Sequence, residues 1–198
     1  MTKGQSTKYK GMKELRDIET VIFDLDGTFY DKHGLSKRMV RRLWWCLPLM
    51  AIDRVAKGRC WRWIVATKWH KQTYLPTMAR LIGETCPRRE ETIALLREVK
   101  ARGLQTAIYS DYGCVEQKLA VLGIDPKEFD LIITAPELGG LKPSKACAQQ
   151  VLDRLGAKAE TTLFVGDRDE KDGEAARNVG AHFLLIGAQN TEHRTQKK

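Results

Sequence analysis

The chain has 198 residues, 42% of them hydrophobic, enough for one domain with a modest insertion and too few for two large independent domains. Its formal net charge is +9, and residues 35–84 account for all of it: Lys or Arg at 37, 38, 41, 42, 54, 57, 59, 62, 68, 71 and 80 stand against Asp53 and Glu84 alone. The opening MTKGQSTKYKGMKELRD is polar and basic, without the apolar run of a signal peptide or anchor.

Residues 1–19 are therefore expected to be a flexible basic leader, and a cytoplasmic location is expected for the protein. The first predicted strand, TVIF at 20–23, runs straight into Asp24-Leu25-Asp26-Gly27-Thr28. Two acids at i and i+2 on an extended segment point to the same side, and a glycine after them lets the chain turn sharply.

Residues 31–88 read as a helical insertion. Leu35, Met39, Leu43 and Leu47 recur every four positions, as do Trp61, Val65 and Trp69, followed by Leu75, Met78 and Leu81 or Ile82. Pro48 should kink or split the first of these helices. All five tryptophans, 44, 45, 61, 63 and 69, fall here. The run LWWCLPLMAI is too short to cross a bilayer, which takes about 20 apolar residues. Three readings of this basic, aromatic segment stay open. The tryptophans pack the insertion against itself and the arginines are a solvated face, or the segment meets an anionic membrane surface, which would make the protein peripheral to the membrane, or it stacks on single-stranded nucleic acid.

Beyond the insertion, predicted helices alternate with strands: 89–101, LQTAIY at 104–109, 114–122, DLIIT at 130–134, 144–155, TTLFV at 161–165, 171–179 and HFLLI at 182–186, with glycines at 103, 123, 156 and 180 near several ends. Residues 188–198 read as a flexible tail. Such alternation implies an α/β, Rossmann-like parallel sheet covered on both faces, with ligands bound beyond the carboxyl ends of its strands.

Those strand exits carry the chemistry-bearing residues. Asp24 and Asp26 leave the first strand, and Asp167, with Asp172 close behind it, leaves the fourth. If the two strands are neighbours, these carboxylates crowd one cleft, and a hard divalent cation, Mg2+ above all, is the simplest relief of their repulsion. Ser110 and Asp111, with adjacent N–H groups at a helix start, offer an anion site, and Lys142 before another helix offers a complementary charge. The side chains of Asp111 and Asp169 read as structural or peripheral. Cysteines 46, 60, 86, 114 and 147 form no C-x-x-C pair, so reduced, mostly buried thiols are expected, and histidines 33, 70, 182 and 193 are scattered. Neither a G-x-x-x-x-G-K-[ST] loop nor a G-x-G-x-x-G turn after a strand is present.

With Asp24-x-Asp26, Ser110, Lys142 and Asp167 in this order over about residues 20–186, the chain resembles the haloacid dehalogenase superfamily. The resemblance implies a magnesium-dependent phosphatase in which Asp24 is the nucleophile and becomes an aspartyl phosphate, while Asp26 is the acid/base. It also implies that Ser110 and Lys142 hold phosphate, Asp167 is the metal ligand, Asp172 its outer acid, and the Asp26 backbone carbonyl a further ligand. Residues 20–30 and 89–187 would form the core and 31–88 a cap that selects a small phosphorylated substrate, with a basic cap favouring extra negative charge. Neighbouring carboxylates are expected to raise the pKa of Asp26 for proton donation. The alternatives are a phosphomutase of the same superfamily, or a membrane- or nucleic-acid-binding module with a vestigial site.

Overall fold

The computed structural model describes residues 17–46 and 68–187. Five parallel strands form one sheet: β1 Thr20–Phe23, β2 Gln105–Ser110, β3 Leu131–Thr134, β4 Thr162–Gly166 and β5 His182–Leu185, in the order β3-β2-β1-β4-β5. Their apolar residues alternate between two buried layers. Val21, Phe23, Ile108, Leu163 and Val165 face one side, while Ile22, Ala107, Tyr109 and Phe164 face the other. Both faces are covered, which is why the central strands read as continuous apolar runs.

The first layer is closed by α3 (Glu90–Ala101) and α4 (Val115–Val121), which contribute Ile93, Leu96, Val115 and Leu119. The second is closed by α5 (Lys145–Leu155) and α6 (Glu174–Val179), which contribute Ala148, Val151, Ala175 and Ala176. The sheet therefore has the α/β architecture expected of the sequence.

Between β1 and α3 stand α1 (Leu35–Arg42) and α2 (Leu75–Thr85). Leu35, Met39 and Leu43 of the first, and Leu75, Met78, Leu81 and Ile82 of the second, join the same buried layer as Phe23, Leu25 and Phe29, so this part of the insertion has no separate core. The chain leaves and re-enters the sheet side by side, through an antiparallel bridge between Tyr30 and Arg88. Helix α2 also lies close on α4: a Cβ at Gly83 would sit 2.8 Å from the Val121 Cβ, so only glycine permits that approach. Leu47, Pro48, Trp61, Trp63 and Val65, and the proposed leader and tail apart from residues 17–19, lie outside the described residues.

Two expectations need correction. Self-packing of the tryptophans fails for Trp44 and Trp45, which follow α1 on a single 3-10 turn and are 68% and 60% exposed, because the inward positions of that segment belong to Leu35, Met39 and Leu43. The helix expected over 171–179 begins instead with a π turn, Asp169–Gly173, in which the Arg168 carbonyl accepts from the amides of Lys171, Asp172 and Gly173. That wider turn carries Asp172 inward to a buried position. Among the described residues, no helix is long and apolar enough to cross a membrane.

Candidate active site

The register decides which side chains meet. Phe23 is opposite Ile108 of β2 and Val165 of β4, so the chain leaves these three central strands at one level and delivers Asp24, Ser110 and Asp167 to the same edge. The Asp24 amide continues the ladder by donating to the Val165 carbonyl at 2.8 Å.

Lys142 is the hub of one half of the cleft. Its buried Nζ donates to Asp24 Oδ1 and Asp172 Oδ1, each at 2.7 Å, and lies 4.9 Å from the centre of the Tyr109 ring. The other Asp24 oxygen accepts from the Thr28 hydroxyl at 3.0 Å, and Asp172 Oδ2 accepts from the Arg168 amide at 3.2 Å. Burial pushes the Asp24 carboxyl up to about 7; Lys142 opposes this, while Asp172 and Asp26 add to it. For Lys142, burial works against the charged form, but Asp24 and Asp172 outweigh it and hold the ammonium above its ordinary range.

Asp26 occupies the other half, among donors. Lys118 Nζ lies 2.7 Å and 2.8 Å from its two carboxylate oxygens, Tyr30 donates its hydroxyl at 2.5 Å, and Ser110 donates its own at 3.1 Å. Burial alone would raise this carboxyl, yet Lys118 and the hydrogen bonds from Lys118, Tyr30 and Ser110 prevail and lower it. The expected upward shift at Asp26 is thus corrected: the nearest charge is a buried ammonium, not another carboxylate.

Oxygen atoms of Asp24, Asp167 and Asp172 lie within 4.8 Å of one another. This donor set fits a hard divalent cation, which prefers carboxylate oxygen. A second observation agrees with it. Lys32 Nζ bridges the Asp26 carbonyl, at 2.8 Å, and Asp167 Oδ2, at 2.5 Å, so a cationic group is already drawn to the carbonyl and carboxylate that the family resemblance implies as metal ligands. Gly27, at φ 105°, makes room for this: a Cβ there would collide with both Asp167 and Lys32. The Asp26 carboxylate itself faces Lys118, so only its backbone carbonyl belongs to the cation side.

Asp111, grouped from sequence with the phosphate-binding residues, has its carboxylate occupied. It accepts from the Lys142 amide at 2.9 Å and from Lys171 Nζ at 2.7 Å, tying together the loops that follow β2, β3 and β4. Only its backbone remains for an anion. Ser110 Oγ also accepts from the Tyr112 amide at 3.1 Å, which fixes the turn at the head of α4. Asp169 lies apart, paired with Arg177 on the surface. His33 is exposed and His182 meets the Glu160 carbonyl, so neither belongs to the cleft, and Cys86, Cys114 and Cys147 are free thiols.

Sequence reasoning missed Lys118, Tyr30 and Lys32. Lys118 had one visible signal: it shares the inward spacing of Val115, Leu119 and Leu122 on an otherwise apolar helix face. Beside the cleft, a cavity of about 390 Å³ lies between the two parts of the chain, lined by His70, Lys71 and Leu75 from the insertion and by Asp111, Tyr112, Gly113, Thr134, Pro136 and Glu137 from the sheet side.

Residues 18–180 match the family model described as haloacid dehalogenase-like hydrolase. A glyceraldehyde 3-phosphate phosphatase of Methanothermobacter thermautotrophicus is 31% identical over 201 aligned positions, covering 88% of this chain and 88% of that protein. One of Methanocaldococcus jannaschii is 43% identical over 97 residues, covering 48% of this chain and 42% of that protein. Among solved structures, a HAD phosphatase from Thermococcus onnurineus superposes with a TM-score of 0.64 at 18% identity, covering 87% of this chain and 88% of that one, a likeness of fold.

Proposed function

The chain belongs to the haloacid dehalogenase-like hydrolases, and on that premise we propose that it hydrolyses a small phosphate monoester with Mg2+ as cofactor, through a phosphorylated Asp24. The observation that carries the reading is the junction at Lys142. One buried ammonium holds Asp24 against Asp172, while Asp24, Asp167 and Asp172 converge as a hard-cation donor set. The names of the two archaeal relatives support a small phosphorylated metabolite as substrate.

In this reading a Asp24 carboxylate oxygen attacks phosphorus and the bond to the leaving oxygen breaks, with Asp26 supplying the proton that oxygen needs. Asp26 then takes a proton from a water molecule, whose oxygen attacks the same phosphorus and breaks its bond to Asp24. The proton gained in the second half is the one given in the first half of the next turnover, so the cycle balances. Magnesium, held by Asp24, Asp167, Asp172 and the Asp26 carbonyl, would neutralise negative charge on the phosphoryl oxygens. Lys142 adds a second fixed positive charge, and Ser110 with the amides around it completes the anion site. The insertion, residues 31–88, acts as a cap in this reading, and the cavity that His70, Lys71 and Leu75 line beside the cleft would take the leaving group.

The test is turnover of p-nitrophenyl phosphate with and without magnesium, for the wild type and Asp24→Asn. Magnesium-dependent hydrolysis that disappears in the variant is expected. Undiminished hydrolysis by Asp24→Asn would sink the assignment of the nucleophile.

A further inference from the structure

Lys118 is the largest departure from what packing alone requires. Its side chain is fully buried on α4, between Val115 and Leu119 on the helix face that lines the main apolar layer. Taking an ammonium out of water is costly, and an apolar residue of similar volume would serve packing at least as well. The position is nevertheless a lysine, and its Nζ spans both oxygens of Asp26 at 2.7 Å and 2.8 Å while standing 5.5 Å from the centre of the Tyr112 ring. Tyr30 and Ser110 approach the same carboxylate. Three donors from three separate segments, the β1 loop, the end of β2 and α4, therefore leave Asp26 one orientation.

We propose that Lys118 is a positioning residue for the proton transfers assigned to Asp26, clamping that carboxylate through both its oxygens, with Tyr30 as the second arm of the clamp. The proposal rests on the reading of Asp26 as the acid/base. It also gives α4 a double duty: Lys118 reaches the cleft, while Val121 packs under Gly83 of the insertion, so the helix that orients Asp26 is the one on which α2 rests.

The experiment compares wild type, Lys118→Met, Asp26→Asn and the double variant by rapid-mixing hydrolysis of p-nitrophenyl phosphate with magnesium. With so good a leaving group, phosphorylation of Asp24 needs little help, and the second half of the cycle depends most on Asp26. Lys118→Met is expected to release about one equivalent of p-nitrophenolate per enzyme in a burst and then turn over at least about tenfold more slowly than wild type, with KM falling alongside because the slowed second half lets the phosphorylated enzyme accumulate. Adding Lys118→Met to Asp26→Asn should cost nothing further, because both act through one carboxylate. A merely structural role would instead shrink the burst and leave the later rate per active site unchanged. That result, or losses that multiply in the double variant, would overturn the proposal. If Asp26→Asn alone turns over like wild type, the acid/base reading fails, whatever Lys118→Met does. Should Lys118→Met not fold, Lys118→Arg, which keeps the charge, and Tyr30→Phe, which removes the other arm, take its place with the same expected loss of post-burst rate, and wild-type rates in both would overturn the proposal.

Discussion

The cleft and the insertion treat charge in opposite ways. At the carboxyl edge of the sheet each carboxylate meets an ammonium: Asp24 and Asp172 share Lys142, Asp26 has Lys118, Asp167 has Lys32 and Asp111 has Lys171. On α1, Lys37, Arg41 and Arg42 point into solvent, and Trp44 and Trp45 follow them there. Water screens the second group, so its members are nearly independent of one another. In the first group Lys142 and Lys118 are desolvated with the carboxylates they meet, so there each charge is held by its partner and removal of one strands the next. Substitutions should therefore be costly and coupled in the cleft, and cheap and additive on the outer face of α1.

The severest test of that contrast is Lys142→Met. It leaves two buried carboxylates facing each other and removes the ammonium proposed to hold phosphate. An unfolding free energy lower by about 3 kcal/mol in urea titration is expected, with turnover of p-nitrophenyl phosphate reduced about a hundredfold or more. A loss of stability no larger than that of a surface charge would show that the cleft is not coupled as its geometry implies.

Gly27→Ala ranks next. The residue sits at φ 105°, and a Cβ would strike Asp167 and Lys32, so the turn must shift on the cation side of the cleft. A stability loss of about 1–3 kcal/mol is expected. The sharper readout is magnesium affinity by calorimetry, which should fall, while α4 and its clamp on Asp26 are untouched. An unchanged affinity would separate Asp167 from the metal.

A smaller effect is expected from pH. Because burial holds the Asp24 carboxyl at about 7, above its ordinary 3.8, the folded metal-free protein binds that proton more tightly than the unfolded chain. The stability this group contributes is complete at low pH and is lost as pH rises from about 4 through 7. Magnesium reverses the sense, since it needs the carboxylate free. The rise in melting temperature caused by magnesium should therefore grow between pH 6 and 8, and binding at pH 6.5 should release protons. A magnesium effect that is flat over this range would remove Asp24 from the linkage.

Much of the cleft was legible because it is written in residue types at strand ends. Val21-Ile22-Phe23 and Leu163-Phe164-Val165 announce buried strands, and the acids that follow them have no place in such a core unless they meet a counter-charge. What was not legible is which counter-charge each acid meets. Lys118 lies on an apolar helix face, where its periodicity is that of Val115 and Leu119, and only the tertiary fold brings it to Asp26. Lys32 reads as one more cation near a basic segment, since its partner Asp167 is supplied by another strand. The direction of the Asp26 shift went wrong for this reason: the sequence displays the carboxylates together and the lysines scattered. The insertion was legible where apolar residues recur every four positions, as in Leu35-Met39-Leu43, and open at Trp44 and Trp45, where packing within the insertion was one of three readings and their place on the turn after α1 put them outside.

That last point yields the smallest prediction and the one that closes the comparison. Trp44→Ala and Trp45→Ala, and Arg41→Gln with Arg42→Gln, alter the largest exposed rings and the exposed cations of the described insertion. Neither tryptophan is among the side chains packed against the apolar layer, and most of the ring surface removed is already in water. Each change should shift the unfolding free energy by no more than about 0.5 kcal/mol, and the effects should add. Turnover of p-nitrophenyl phosphate should stay at the wild-type rate, since that small aryl ester does not depend on distant charge for its chemistry. If the cation pair lowers kcat/KM for a bisphosphorylated substrate alone, and does so less at high salt, then the outer face of α1 acts by long-range attraction of anions. A fall in stability of several kcal/mol in either tryptophan variant would instead mean that these rings are covered in solution, and the division between a coupled cleft and an independent insertion would not stand.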